Sequence, residues 1–477
     1  MKLEKQAKNN KWLILLTVSL GSFMSTLDGS IVNLAYPTLT KVFDTEPSIV
    51  LWVSVTYFLV STGLMPILGS IGDMFGRKKL YIIGFIFFNV GLGLCSLSTS
   101  IVQLILFRVI QAVGFAILVS IGYALVTASF PDEERGKALG IMAGVIMAGP
   151  LVGPVLGGFF LDTLEWRAIF YARIPVGIII MVMAWLFLKE QKAESLGTKL
   201  DFRGAAILSG SVACLLLFFN FGGRFGFSEL PVPVFALLAT ALLTLFVFLE
   251  KRVRNPVIDL SLFRNRPFTI NIITLFIQNI TLAVFMLVTP FFLIDGNGFT
   301  ALETGLFFAI PPLVSVGVAP LSGWLSDKGL SRILIIAGIA LTCLGMFLFS
   351  RLGGDISISE VIPTLILFGV GISLFRSPNT SQIMGVVPRD RLGSAAALMN
   401  TVQQIGLSSG LAIAGAIFTS RKVTHGIRLA PEIIDPLMLE KLSLVASFQD
   451  SMLFAAIFCG LGLLISVLPA KADNRPV

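Results

Sequence analysis

Fourteen stretches of about 20 mostly apolar residues recur along this chain, and they limit what it can fold into. They run roughly over 12–36, 49–70, 79–97, 101–128, 138–160, 168–188, 204–222, 232–250, 269–293, 303–325, 332–350, 361–386, 394–418 and 450–470. A stretch of that length, wound as a helix, spans the hydrocarbon core of a bilayer. In lipid every backbone N–H and C=O must be satisfied within the segment, which leaves the helix as the structure for such a stretch. The expected fold class is therefore an all-α polytopic membrane protein. Of 477 residues, 55% are hydrophobic and 13% charged, against about 25% charged in soluble domains. This excludes a disordered chain, a disulfide scaffold and an ordinary soluble enzyme.

The basic residues give an orientation. With the N-terminus inside, 24 of the 35 Lys and Arg fall on the inner side and 8 on the outer side, whereas the acids divide 13 and 13. A bias in bases without one in acids is the form the positive-inside rule takes. Both termini are expected in the cytoplasm, with residues 1–11 and 471–477 as tails and no cleaved signal peptide. The expected location is a bacterial inner membrane. The same reading accounts for the net charge of +8 without nucleic acid. The four cysteines lie within apolar runs at no metal-ligand spacing, so no metal site is expected.

An internal repeat divides the chain. Gly69-x-x-x-Asp73-x-x-Gly76-Arg77 follows the second stretch, and Gly323-x-x-x-Asp327, reaching Arg332, follows the tenth. Phe130-Pro131-Asp132-Glu133-Glu134-Arg135-Gly136 follows the fourth, and Val387-Pro388-Arg389-Asp390-Arg391-Leu392-Gly393 follows the twelfth. Repeated halves of this kind characterise transporters. The predicted plan is a six-helix bundle over 12–188, two linker helices with their flanking loops over 189–268, and a second six-helix bundle over 269–470. An outer loop is predicted over 419–449, acting as a gate or as contact for an outer partner. The repeated charged loops read either as latches on the inner side, with Gly69, Asp73, Gly76, Arg77, Asp132, Arg135, Asp327 and Arg391 as gating residues, or as charged turns that merely obey the positive-inside rule.

Four motifs in order carry a family resemblance. The loop from Gly69 to Lys79 resembles the signature loop of the major facilitator superfamily. Leu27-Asp28-Gly29-Ser30-Ile31-Val32-Asn33-Leu34-Ala35-Tyr36-Pro37-Thr38-Leu39 resembles the first-helix motif of its fourteen-helix drug:proton antiporters, the EmrB/QacA type. Arg108-x-x-Gln111-x-x-Gly114 is similar to the fourth-helix motif. Gly149-Pro150-x-x-Gly153-Pro154-x-x-Gly157-Gly158 is similar to the antiporter motif of the fifth helix. The resemblance covers nearly the whole chain. It implies a proton-driven exporter of small amphipathic compounds that uses no cofactor and has protons, membrane lipid and the substrate as its partners. The fifth-helix glycines and prolines permit close packing and a kink in lipid, which reads as a hinge, as a leak-tight seam between bundles, or as plain small-residue packing.

Only Asp28, Arg108, Arg173 and Arg376 lie well inside predicted helices. At 1.5 Å per residue, Asp28 and Arg108 sit about 12 and 10 Å from the same face and can share a depth. A charge there must be paired or hydrated. The reading is a protonatable Asp28 modulated by Arg108, or a static structural ion pair. Arg173 and Arg376 depart from the family pattern, which has Asn at the first position and commonly a neutral residue at the second. Three buried cations against one acid suit an anionic or zwitterionic substrate, clamped by Arg173 and Arg376. Alternatively, both arginines pair with backbone carbonyls or snorkel. Asn33, Gln111, Gln278, Asn379 and Gln403 are further candidates for substrate contact. The competing classes are a substrate-specific metabolite or lipid transporter on the same fold and a membrane-embedded enzyme. The enzyme is disfavoured because no predicted helix holds a histidine and no H-E-x-x-H is present, and an ATP-driven pump because no phosphate-binding loop is present.

Overall fold

The computed structural model describes residues 2–188, 190, 202–225, 229–253, 260–387, 392–431 and 433–468. Among them the chain is all helix. The first half holds α1 (Lys2–Leu34), α2 (Tyr36–Val42), α3 (Pro47–Val50), α4 (Trp52–Phe75), α5 (Arg77–Ser96), α6 (Ile101–Ser129), α7 (Asp132–Thr163), α8 (Ala168–Tyr171) and α9 (Ile174–Phe187). Next come α10 (Phe202–Phe225) and α11 (Val232–Glu250). The second half holds α12 (Arg266–Phe291), α13 (Ala301–Leu325), α14 (Ser331–Phe349), α15 (Ile358–Gly385), α16 (Leu392–Leu429) and α17 (Pro436–Val467).

Twelve described stretches are long and apolar enough to cross a membrane. One of them, Ala301–Phe349, contains both α13 and α14, which meet at Gly329, where φ is +88°. The predicted seventh stretch holds a shorter apolar run, Ala206–Phe219. Local signals set many helix starts. Thr300 and Glu303 form a capping box on α13, Ser357 and Glu360 form one on α15, and Ser100 and Asn265 cap α6 and α12.

The predicted outer loop over 419–449 is corrected. It is mostly helix: α16 runs on to Leu429 and α17 starts at Pro436, so only residues 430–435 connect them. Asp435 caps the start, accepting from Leu437 N at 3.0 Å. Hydropathy marks where a helix leaves the apolar layer, not where it ends, so two polar extensions read as a loop. His425 lies on this extension, 2.9 Å from Asp450 Oδ2.

Helices α1, α4, α5, α6, α7 and α9 pack together, as do α12 to α17. The two groups meet along α7 against α13 and along α4 against α16, and α10 lies on both α4 and α16. The repeat is visible in the packing. A Cβ on Gly114 of α6 would stand 2.6 Å from the Gly84 carbonyl of α5, and one on Gly338 of α14 would stand 2.8 Å from the Gly371 carbonyl of α15. Backbones therefore touch at matching places in each half, as small residues allow in lipid, where packing rather than hydrophobic force holds helices together.

This contact gives a stability prediction. Gly114→Val overpacks the α5–α6 crossing and should cost about 1–3 kcal/mol. A thermal melt of the purified protein checks it, with Gly136→Val as control, since nothing lies within 4 Å of a Cβ at Gly136. Equal melting of the two variants would disprove it.

Candidate functional site

Asp28 lies six residues before the end of α1 with no solvent exposure, and it is the hub of a buried charge cluster. Its Oδ2 accepts from Arg108 Nη1 of α6 at 2.7 Å. Its Oδ1 accepts from Gln111 Nε2 at 2.9 Å and from Arg173 Nη1 at 2.5 Å. Arg108 Nη1 also reaches Gln111 Oε1 at 2.7 Å, and Arg108 Nε donates to the Val53 carbonyl of α4 at 3.1 Å. The Tyr57 ring of α4 lies under the Arg108 guanidinium, 4.0 Å from centroid to Cζ. Such a stack favours a cation when desolvated. Arg173 Nε donates to the Ile169 carbonyl at 2.6 Å. Pro175, at the start of α9, cannot continue a helix from α8, and Arg173 is the residue at that break.

The shared depth of Asp28 and Arg108 thus appears as direct contact. Two residues expected at the substrate are placed elsewhere in this arrangement. Arg173 directs its Nη1 and Nε to Asp28 and the Ile169 carbonyl and does not line a cavity with Arg376. Gln111 bridges Arg108 and Asp28. The cluster carries one negative and two positive charges, and Nη2 of both arginines is buried without a hydrogen-bond partner among the described residues. Tyr57 was not foreseen: a neutral aromatic in an apolar helix gives no sequence signal.

A second space lies between the halves. A cavity of about 140 Å³ is walled by α1, α7, α12, α13 and α15. Phe285, Phe308 and Phe368 form one side, with ring centroids 5.2 and 4.6 Å from Phe285. Asn33 lines it, accepting from Tyr36 Oη at 2.6 Å. Arg376 lines it as well, and makes no hydrogen bond or ion pair among the described residues. Gln278 lies in a small adjoining recess that Arg376 also lines. Asn379 is fully buried and donates to the Asn271 carbonyl at 3.3 Å, and Gln403 is half-buried on α16. Neither Asn379 nor Gln403, both expected as substrate contacts, lines this cavity.

The antiporter-motif helix α7 builds the seam above this cavity. Gly149, Gly153 and Gly157 face α1: Cβ atoms there would stand 2.9 Å from Leu27 N, 3.1 Å from the Leu27 carbonyl and 2.9 Å from Ile31 Cγ1. Pro150 deprives the Ile146 carbonyl of its helical donor, and Thr26 Oγ1 of α1 lies 3.1 Å from that carbonyl. Ser30 Oγ reaches the Gly149 carbonyl at 3.3 Å. Gly158 turns to the other half: a Cβ there would stand 2.6 Å from Leu302 Cα, and one on Gly305 would stand 2.8 Å from the Pro154 carbonyl carbon.

On the side where the chain begins and ends, Gly76 (φ +100°) forms the turn between α4 and α5. Arg77 Nη1 reaches the Ala124 carbonyl at 3.5 Å, and Arg135 Nε donates to the Thr127 carbonyl at 3.1 Å. Both contacts stay within the first half. Asp327 lies in the tight turn between α13 and α14. Gly69, Asp73 and Asp132 are described in backbone only, and Arg391 lies outside the described residues.

Known proteins resemble the chain throughout. A family profile described as Major Facilitator Superfamily matches residues 18–411. "Riboflavin transporter RibZ" of Clostridioides difficile is 33% identical, covering 98% of this chain and 99% of that protein. "Multidrug resistance protein Stp" of Mycobacterium tuberculosis is 32% identical over 86% of this chain and 76% of its own length. "Multidrug export protein EmrB" of Haemophilus influenzae is 27% identical over 88% and 83%. Among solved structures, a bacterial homolog of the human lysosomal transporter Spinster, inward-facing and unoccupied, superposes with a TM-score of 0.72 at 16% identity, covering 97% of each chain. A D-xylose-proton symporter gives 0.61 at 15% identity, covering 94% of this chain and 97% of that one.

The charge cluster yields a contrast between two variants. Asp28→Asn leaves two desolvated guanidiniums facing each other and should destabilise by about 3–5 kcal/mol. Arg173→Gln leaves one acid against one base and should cost distinctly less. Thermal unfolding of both variants in one detergent checks the ordering, and the reverse order would refute the pairing.

Proposed function

The chain belongs to the Major Facilitator Superfamily, and on that premise we propose that it exports small amphipathic compounds in exchange for protons. It is a transporter and not an enzyme. The proposed topology has fourteen crossings, with α13 and α14 counted separately and α10 included, arranged as six, two and six. Both termini lie on the cytoplasmic side of a bacterial cell membrane, in keeping with the distribution of basic residues.

The observation that carries the substrate reading is Arg376. A guanidinium with no hydrogen bond or ion pair among the described residues sits on a cavity walled mainly by phenylalanine, methionine, leucine, isoleucine and proline, with Ser30, Asn33 and Ser315 as the other polar side chains. A cation at membrane depth is costly unless it is paired or hydrated. An anionic or zwitterionic amphiphile supplies the pair, its carboxylate or phosphate forming a bidentate contact while its apolar body lies on the rings. Lipophilic cations are disfavoured, because among the described residues no acid lines this cavity.

Asp28 is the proposed proton carrier, modulated by Arg108. Both its oxygens are occupied in the present arrangement, so a proton can bind only as Arg173 withdraws. Protonating the acid in place would leave two unpaired cations in a dry site. Transport then alternates between a paired and a protonated Asp28 as the halves rock.

A second reading has one specific support. The 33% identity to a riboflavin transporter extends over 98% of this chain, further along it than the resemblance to Stp or EmrB. A dedicated carrier for a flat heteroaromatic metabolite would use the same phenylalanine wall for stacking. Everted vesicles tested with riboflavin and with anionic dyes separate the two readings.

Arg376→Gln should lower transport of anionic compounds at least tenfold while Arg376→Lys retains part of it, measured as flux in vesicles with an imposed proton gradient. Unchanged flux and selectivity in Arg376→Gln would remove the anion reading. Efflux that persists after an uncoupler collapses the gradient would remove the antiport reading.

A further inference from the structure

We propose that Asp162, at the far end of α7, is the lock that holds the two halves shut on the side away from the chain termini. The first turn of any helix leaves backbone N–H groups without helical partners. In α13 the capping box of its own residues covers part of this need: Thr300 Oγ1 accepts from Glu303 N at 3.1 Å, and Glu303 Oε2 accepts from Thr300 N at 2.8 Å. The amides between them, Ala301 and Leu302, are left over. They donate to Asp162 Oδ1 at 3.1 Å and Asp162 Oδ2 at 2.8 Å. The cap of a helix in the second half is therefore completed by a carboxylate from the first.

Two features make this contact depend on closure. The first is reach. Asp162 stands one turn beyond Gly158 on the same face of α7, and only a residue without a side chain lets the α7 backbone lie against Ala301 and Leu302. The second is electrostatic. Asp162 is the next-to-last residue of α7, where the helix presents its own carbonyls and repels a negative charge. The start of α13 offers the opposite partial charge. With the halves apart, the acid faces its own unfavourable helix end and the two amides lose a charged acceptor. With the halves together, both needs are met at once.

An ion pair also joins the halves on this side, and it is weaker. Lys41 Nζ lies 2.6 Å from Asp295 Oδ1, but the Lys41 side chain is 68% exposed. Exposed pairs of this kind contribute little. Asp162 is exposed too, but it acts on two backbone amides fixed by a helix, so only its own side chain has to be ordered.

The test measures separation of the halves in the full-length protein, reconstituted in lipid nanodiscs with its four native cysteines replaced. Spin labels at Leu164 and Ile434, both exposed on this side, report the distance by pulsed electron resonance. Asp162→Asn should raise the long-distance population about tenfold relative to the parent. Gly158→Val, which lifts α7 away from α13, should do the same without altering the acid. Thr300→Ala removes the cap that α13 supplies for itself and leaves α7 untouched, and it should keep the parental distances. An unchanged distribution in Asp162→Asn overturns the proposal, whatever Gly158→Val does, because the seam would then be held by backbone packing and not by the acid. So does a Thr300→Ala distribution as wide as that of Asp162→Asn, which would mean that fraying of α13, not loss of a lock, opens the seam.

Discussion

One carboxylate held between two guanidiniums organises the first half of this protein. Asp28, Arg108 and Arg173 come from α1, α6 and the α8–α9 break, and Arg108 also binds the backbone of α4. In a dry interior each charge is tolerable only because of the others. The helices that carry them therefore cannot slide independently without exposing a bare charge to lipid. The cluster ties these helices into one body, because displacing any of them would break a buried charge contact.

Among the described residues the second half has no equivalent cluster. It repeats the backbone-to-backbone contacts of the first, Gly338 with Gly371 mirroring Gly84 with Gly114. Where the first half buries paired charges, the second presents a single arginine, Arg376, to the cavity. The halves share their packing scheme and divide their chemistry. A tied acid on one side and a free base on the other are what an exchanger of protons for anions would need, because the two ligands then act on different bodies.

Much of this was legible in the sequence. Apolar length gave the helices, the paired loops gave the repeat, and rise per residue placed Asp28 and Arg108 at one depth. Rise per residue says nothing about direction around a helix. Arg173 was for that reason assigned to the cavity when it turns inward to Asp28, and Gln111 was misread in the same way. The break at Pro175 rotates Arg173 off the regular helical course, and no periodic pattern records that turn. The polar ends of α16 and α17 were hidden because hydropathy is blind to helices in water. Asp162 was hidden because its meaning depends on the amides of a helix 139 residues away.

The two helices between the halves alter how the protein meets its solvent. Because α10 rests on both α4 and α16, with Ser209 Cβ 3.0 Å from where a Gly63 side chain would begin, that flank of the inter-half cleft is walled off from lipid. Among the described residues the opposite flank, along α7 and α13, has no such cover and relies on its own backbone contacts. A lipophilic molecule dissolved in the bilayer would therefore encounter a one-sided protein. Approaching the cavity laterally from the acyl chains, it would meet an added helix on one flank and only the α7–α13 seam on the other.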